Sequence, residues 1–377
     1  MSELGPIRIG VLRLTDSAPV IVAHELGFFA DEGIDVVLSV EPSWANIADK
    51  LVYGALEGAS IVPPLAIAVS LGLRGPRQKL IIPCVLSLGG NVVTLAKPLA
   101  DEIKTARRPG DTLLAGLATR LRSLNERPRF AVVHEYSTHN LLLRYWLATS
   151  GLVSGQDFEI VVTPPERTLE ALTPGRILGF CAGAPWGEIA ARAGVGGRIA
   201  TTYDIWRRAP EKALALRADW AEARIAASHG LLRGLYRAAR FCDAPKNSAY
   251  VAALLGRRIY LNADPHAILS SLPGALDGEA VSVFHHHAAT FPWLSHAFWM
   301  HAQMARWGLV DAAGSSREAV AAIYRPDIYR AALAPAGALI PEADIKPEGG
   351  HERGWEVPAS PAPIAMESDL FCDGAVF

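Results

Sequence analysis

Short apolar runs and longer segments with helical spacing alternate through the first hundred residues. The apolar runs predict strands at 7–12, 34–40, 59–62, 80–86 and 92–95. Between these runs, apolar residues recur every three or four positions, which predicts helices, and Ser43 is a typical capping residue for one of them. Strands that alternate with helices favour a largely parallel sheet with helices on both faces. We therefore expect an α/β fold.

The same alternation restarts after a polar, basic stretch at 97–129. The next strands are predicted at 130–134, 158–162, 177–181 and 198–201, and the helices between them at 140–150, 167–172 and 186–193. If segment 213–216 returns to the first sheet, the first α/β set encloses the second, and a helical stretch at 219–307 completes it. The predicted organisation is a discontinuous lobe 1 (1–96 and 215–335), a lobe 2 (97–214) and a tail (336–377) that is packed over the surface or partly disordered.

Length and charge agree with two lobes and limit the kinds of partner. The 377 residues exceed the size at which a single core stops growing. The 36 basic and 38 acidic side chains give a net charge of -2, which creates no extended field for a nucleic acid or an anionic membrane. We expect direct contact with neither, so any selectivity for an anion must come from a local pocket.

The N-terminal sequence bears on location. MSELGPIRIGVLRLTDSAP lacks the basic segment, apolar stretch and cleavage site of a secretory signal, and no run approaches the roughly 18 apolar residues of a membrane span. We therefore expect a cytoplasmic protein. Its four cysteines form no C-x-x-C pair, and we expect them to be free thiols.

Motifs of several common enzyme classes are missing from the sequence. It contains no G-x-x-x-x-G-K-[ST], no H-E-x-x-H and no G-x-S-x-G pattern. His285, His286 and His287 are consecutive, so on a helix surface their side chains diverge, and no paired cysteine or carboxylate completes a tetrahedral set. The sequence therefore predicts neither an enzyme, nor a cofactor, nor a metal site.

Several blocks in unchanged order carry a family resemblance. They are 9–19 (IGVLRLTDSAP), 23–30 (AHELGFFA), 43–44 (SW), 137–147 (STHNLLLRYWL), 180–186 (FCAGAPW), 210–212 (PEK) and 216–220 (LRADW). The chain resembles the nitrate- and bicarbonate-binding solute-binding proteins of ABC transporters and their soluble relatives that act as nitrate sensors. The resemblance implies the type II periplasmic-binding-protein fold, in which a hinge joins two α/β lobes and the ligand lies in the cleft between them.

The resemblance also implies a set of ligand-binding residues. Matching to the family's nitrate site gives Trp44, Asn91, His139 and Lys212. Asn91 stands where the transporter proteins usually carry Gln, so the amide is kept on a shorter arm. Ala184 stands where those proteins carry Glu, which weakens an interpretation as a bicarbonate-plus-metal site and favours nitrate or nitrite.

The chemistry of these residue types suits a small anion. Nitrate is planar and singly charged, so its site needs one cation and several fixed donors. Lys212 can supply the charge, and Thr138, His139 and Asn140 open a helix whose first N–H groups have no partners inside the helix. Each residue also has a plainer interpretation: Lys212 as a solvated surface lysine, His139 as a cap or packing residue, Asn91 as a turn residue and Trp44 as a hydrophobic wall.

The resemblance leads to three functional hypotheses. In the first, the protein is a cytoplasmic sensor, in which nitrate or nitrite closes the cleft and changes a surface read by an RNA-binding antiterminator of nitrate assimilation genes. The alternative is the substrate-binding component of an ABC transporter for nitrate or a related small anion. The third is an enzyme on the same fold, similar to the pyrimidine-synthase relatives, but the sequence lacks a His-rich or Cys-bearing catalytic motif of that kind.

Overall fold

The strands of the two lobes lie at or near the apolar runs of the sequence. A computed structural model describes residues 5–275, 282–311 and 316–377. The strands are β1 (Ile7–Val11), β2 (Val36–Val40), β3 (Gly58–Ile61), β4 (Leu80–Leu88), β5 (Asn91–Ala96), β6 (Arg129–Val132), β7 (Glu159–Val162), β8 (Gly179–Gly183), β9 (Gly196–Thr201), β10 (Pro210–Arg217), β11 (Ile340–Pro341), β12 (Trp355–Val357), β13 (Ala359–Ser360) and β14 (Ile364–Met366).

Two of the helices that form the site are capped at their N-termini by serine side chains. Ser43 and Ser137 each accept a hydrogen bond from a backbone N–H of the first turn, at 3.2 and 3.1 Å. The helices are α1 (Ala18–Glu25), α2 (Trp44–Val52), α3 (Pro63–Leu71), α4 (Lys97–Ala106), α5 (Leu113–Arg122), α6 (Thr138–Ala148), α7 (Thr168–Leu172), α8 (Trp186–Arg192), α9 (Thr202–Ile205), α10 (Ala218–Ala223), α11 (Ile225–Cys242), α12 (Ser248–Gly256), α13 (Pro265–Leu269), α14 (Leu294–Arg306), α15 (Arg317–Ala321) and α16 (Pro326–Leu333). Within the described ranges, none of them combines the length and the apolar character that crossing a membrane requires.

Ten strands of the described residues form two mixed five-stranded sheets. Sheet 1 has the order β2-β1-β3-β10-β4, and sheet 2 has the order β7-β6-β8-β5-β9. In each sheet one strand runs antiparallel to both neighbours: β10 between β3 and β4, and β5 between β8 and β9. The sequence predicted largely parallel sheets, and β5 and β10 depart from this because each enters its sheet from the other lobe, not through a crossover helix.

The lobe boundaries differ from the predicted ones. β5 was predicted to belong to lobe 1, but it pairs within sheet 2. β10 joins sheet 1 from Pro210, before the predicted return at 215. The sheets are therefore connected at Gly89 and Gly90 and again through 202–209. Both glycines have left-handed φ angles, 69° and 87°, which favour glycine at this crossing. An apolar strand such as β5 fits either sheet, so hydrophobic pattern alone could not place the boundary.

The predicted helical stretch at 219–307 is interrupted before α14. Asp243, just after α11, accepts backbone hydrogen bonds from Phe284, His285 and His286 at 2.7 to 2.8 Å. The consecutive histidines therefore lie in a turn held by a buried carboxylate. Their interpretation as helix-surface residues was wrong, because Asp243 gives the backbone of this segment partners that a helix would otherwise supply.

The tail packs against both lobes. Phe371 is buried, and its ring stacks on those of Trp206 and Trp299 with centroids 4.7 and 5.8 Å apart. Two residues further on, the carboxylate of Asp373 accepts a hydrogen bond from the hydroxyl of Tyr145, on α6, at 2.9 Å. The sequence left open whether the tail is packed over the surface or partly disordered, and in the structure it is packed.

Candidate functional site

Five of the six expected site residues come together where the two sheets face each other. Lys212 lies on β10 of sheet 1, and Asn91 is the first residue of β5 in sheet 2. Thr138 and His139 open α6, and Trp44 opens α2. All five side chains are almost completely buried, with exposures of 0 to 2%. The surface and turn interpretations of Lys212 and Asn91 therefore do not fit their positions.

Asn140 does not join this cluster through its side chain. Its Nδ2 donates to the carbonyl of Glu135 at 2.7 Å, and its Oδ1 accepts from Arg144 Nε at 2.9 Å. Its backbone N–H donates to the Ser137 hydroxyl. Asn140 thus stabilises the first turn of α6, because its polar atoms are used within that helix and the loop before it.

Glu211 is the centre of the cluster. Its Oε2 accepts from Thr138 Oγ1 at 2.6 Å and from Asn91 Nδ2. Its Oε1 accepts from Lys212 Nζ at 2.6 Å and lies 3.4 Å from His139 Nε2. Donors from both lobes are therefore held by one buried carboxylate.

The backbone of β10 explains how two successive residues serve the same site. Adjacent side chains of a regular strand point to opposite faces. The pairing of β10 with β4 shifts register on both sides of Lys212, as a β-bulge does. Bulges redirect side chains and are common next to functional sites. This irregularity allows Glu211 and Lys212 to share one cluster.

A second carboxylate holds the ammonium of Lys212. Asp16, in the short 3₁₀ turn Thr15–Ser17 after β1, places its Oδ2 2.8 Å from Lys212 Nζ. The indole ring of Trp44 lies on the same ammonium, with its centroid 5.3 Å from Nζ. Lys212 is thus surrounded by two acidic side chains and one aromatic face.

Burial and these neighbours set the protonation states. Burial alone would lower the pKa of Lys212, but the charges of Asp16 and Glu211 outweigh it and raise the pKa, so the ammonium stays charged. Burial, with a contribution from Lys212, holds the pKa of His139 well below its usual value, so its imidazole is neutral. Burial raises the pKa of Asp16 more than Lys212 lowers it.

Several buried polar atoms of the cluster lack a hydrogen-bond partner. They are Asp16 Oδ1, Trp44 Nε1, Asn91 Oδ1 and both ring nitrogens of His139. Leaving a buried polar group unpaired costs about 1–3 kcal/mol, so such groups rarely accumulate without a function. Gly183 lies against the same atoms, since a Cβ there would be 3.3 Å from Asp16 Oδ2 and 3.5 Å from Asn91 Oδ1. The arrangement can present one ammonium and two neutral donors, the indole N–H of Trp44 and one ring N–H of His139, to a small polar ligand.

Asp16 and Glu211 were not predicted as members of the site. Both lie inside the blocks that carried the resemblance, and Glu211 is next to Lys212. Acidic residues are not expected in an anion site, so their residue types did not mark them as candidates. The signal that could have found them is physical: a fully buried lysine needs a carboxylate close by.

A family model gives the first comparison with known proteins. The model of the NMT1-like family matches residues 2–256. The chain is a member of the NMT1-like family. Among its curated relatives is the nitrate/nitrite binding protein NrtA of Synechococcus elongatus, 30% identical over 393 residues that cover 100% of this chain and 84% of NrtA. The member described here therefore belongs with the NrtA-type solute-binding proteins.

A longer relative contains a segment similar to this NMT1-like chain. The nitrate import ATP-binding protein NrtC of Synechocystis sp. is 32% identical over 333 residues, which cover 85% of this chain and 49% of NrtC. The chain thus spans about half the length of that protein.

Solved structures confirm the predicted fold. The periplasmic nitrate-binding protein NrtA from Synechocystis PCC 6803 superimposes with a TM-score of 0.86 at 27% identity, and the match covers 100% of this chain and 96% of that one. The alkanesulfonate-binding protein SsuA from Xanthomonas axonopodis pv. citri shares the fold at a TM-score of 0.61 and 15% identity, covering 86% of this chain and 99% of SsuA. The protein has the two-lobed periplasmic-binding-protein fold.

Proposed function

We propose that this protein binds nitrate or nitrite between its lobes and serves as the substrate-binding component of an ABC import system. The observation that carries the proposal is the buried Lys212 ammonium, which lies near the unpartnered ring nitrogens of Trp44 and His139. The names of the relatives NrtA and NrtC support the same ligand and the same type of system.

The cluster suits a small planar anion because it combines one ammonium with neutral N–H donors. One ammonium supplies the positive charge, and the indole N–H of Trp44 and the neutral imidazole of His139 supply donors that require no further charge. The donors come from α2, α6 and β10. An anion that bridges them favours the closed arrangement of the lobes, which is how a binding protein retains its solute.

Titration calorimetry on desalted protein tests the proposal. We expect saturable binding of nitrate or nitrite with one site per chain, and a rise in melting temperature at saturating anion. Chloride serves as a control for ionic strength, and hydrogencarbonate and sulfate test the selectivity. The proposal fails if neither nitrate nor nitrite gives heat or a thermal shift.

The first hypothesis from the sequence, a cytoplasmic sensor of an antiterminator, receives no support from the names of these relatives. The ABC-transporter alternative is better supported, since NrtC is named as an import protein. A cytoplasmic location and an RNA-binding antiterminator partner stay predictions from sequence. Cell fractionation and affinity purification of the tagged protein, with and without nitrate, test both: recovery with a permease favours import, and nitrate-dependent recovery of an RNA-binding protein favours sensing.

A further inference from the structure

The buried cluster carries more acid than base. Lys212 is its ammonium, and Asp16 and Glu211 are its two carboxylates, 2.8 and 2.6 Å from Nζ. All three side chains are 4% exposed or less. With both carboxylates ionised, the cluster has a net charge of about -1 before any ligand is bound.

An anion entering this cluster adds a second uncompensated negative charge. Like charges repel strongly where water is excluded, because the effective dielectric constant is low. One proton taken up together with the anion restores the original charge. Binding of nitrate or nitrite at this position is therefore expected to be coupled to a protonation.

The hydrogen bonds single out Asp16 as the group that takes the proton. Both oxygens of Glu211 already accept hydrogen bonds from Thr138, Asn91 and Lys212, and a proton there would disrupt them. Asp16 Oδ1 is buried and has no hydrogen-bond partner. A proton on Oδ1 would convert this unpaired acceptor into a donor and leave the contact between Oδ2 and Lys212 in place.

The other titratable groups in and next to the cluster cannot take up this proton. Lys212, on β10, has a raised pKa and is already charged. Burial raises the pKa of the Cys181 thiol, on β8, so it already carries its proton. Burial and Lys212 hold the pKa of His139, on α6, well below its usual value, so protonating it is unfavourable. Burial raises the pKa of Asp16 itself, which eases its protonation.

We infer that Asp16 is a further binding residue: each nitrate or nitrite enters with one proton from solvent, and the protonated Oδ1 of Asp16 donates a hydrogen bond to the anion. This inference rests on the proposed function. The protonated form is the one that binds, so affinity is greatest below the pKa of Asp16 in the free protein. Affinity is lost as the pH rises above that pKa, by about tenfold per pH unit.

Calorimetry in two buffers of different ionisation enthalpy measures the proton directly. Sodium nitrate and sodium nitrite are titrated into the full chain at several pH values between about 5 and 8. We expect about one proton taken up per anion bound at the upper end of this range, together with the tenfold-per-unit loss of affinity. Binding with no proton uptake and a constant affinity across the range would overturn the inference and leave the proposed function intact.

Two matched variants locate the proton. Asp16→Asn keeps the shape and gives an amide donor without a titratable group, so proton uptake and the pH dependence should both disappear. Glu348→Gln changes another fully buried carboxylate that is paired with a lysine, Lys346, and should leave the proton count as in the wild type. Proton uptake that persists in Asp16→Asn would overturn the role of Asp16.

If Asp16→Asn fails to fold, the number of protons taken up by the wild-type chain still decides whether binding is proton-coupled. Absence of any binding at every pH would overturn the inference together with the proposed function.

Discussion

Lys212 shows how a full charge is kept inside this protein. Its side chain has no exposure to solvent, and two carboxylates and an indole ring replace the water it would otherwise bind. Buried ion pairs contribute little net stability, but removing one partner leaves the other unpaired and costs much more. A change at position 212 should therefore affect both binding and folding.

Lys212→Met keeps most of the length of the side chain and removes its charge. We expect anion affinity to fall by about 10- to 150-fold, since a hydrogen bond to a charged group contributes about 1.5–3 kcal/mol. The free energy of unfolding should fall by about 3–5 kcal/mol, because Asp16 and Glu211 lose their counterion. Calorimetry and urea unfolding measure the two effects. Lys97→Met, at an exposed lysine paired with Asp101, is the control and should change neither quantity. An unchanged affinity in Lys212→Met would exclude Lys212 from the site.

At the residue scale, the family resemblance predicted that Trp44, Asn91, His139 and Lys212 belong to one site, and the start of a helix added Thr138. It did not predict the roles of Asp16 and Glu211, because the meeting of two distant acids with one lysine depends on long-range packing. The bulge that turns Glu211 and Lys212 to the same side is likewise invisible in the residue pattern.

The element that presents His139 depends on a single capping serine. Ser137 Oγ accepts from the Asn140 N–H at 3.1 Å and donates to the His134 carbonyl at 2.6 Å. It thus fixes the direction in which α6 leaves the preceding loop. Thr138 and His139 are the first two residues of that helix, so their positions follow from the cap.

Ser137→Ala should lower the free energy of unfolding by about 1 kcal/mol, the usual value of an N-cap, and should also weaken anion binding. Urea unfolding and calorimetry provide the two measurements. The matched control is Ser316→Ala, which removes the cap of α15 on the Ala319 N–H. The control should lose similar stability and keep its anion affinity. Equal anion affinities for the two variants would show that the start of α6 does not influence binding.

At the element scale, strands were predicted well because apolar runs bounded by glycine, proline and polar residues are distinctive. The membership of β5 in sheet 2 was not predicted, because the apolar pattern of a strand does not show which strands it pairs with. The helical stretch before α14 was predicted too long, since Asp243 acts on a backbone segment some 40 residues away in the sequence.

At the scale of the whole molecule, the tail contacts both lobes and the return connection between their sheets. Phe371 packs on Trp206, in the return to β10, and on Trp299 of α14, and Asp373 reaches Tyr145 of α6. The sequence left this segment open because its proline, glycine and alanine content is typical of both packed coil and disorder. Only the contacts distinguish the two.

Phe371→Ala should lower the free energy of unfolding by about 3–5 kcal/mol, as expected when a buried aromatic side chain is removed. Thermal and urea unfolding measure the loss. Phe377→Ala removes the same side chain from a position that is 46% exposed, and we expect a change within about 0.5 kcal/mol. Similar stabilities for the two variants would mean that the tail contributes little to holding the structure together.

The position of β10 between β3 and β4 has a consequence for how the chain is made. Sheet 2 uses strands from 91 to 201, one continuous stretch, whereas sheet 1 must wait for residues 210–217 before its middle is filled. At about 5–20 residues per second, β3 and β4 emerge from the ribosome roughly 6–30 s before their shared neighbour, with edges open to wrong pairing. Sheet 1, whose first strands are synthesised first, is therefore completed after sheet 2. Pulsed proteolysis of ribosome-bound chains should protect sheet 2 before sheet 1, and the reverse order would contradict this.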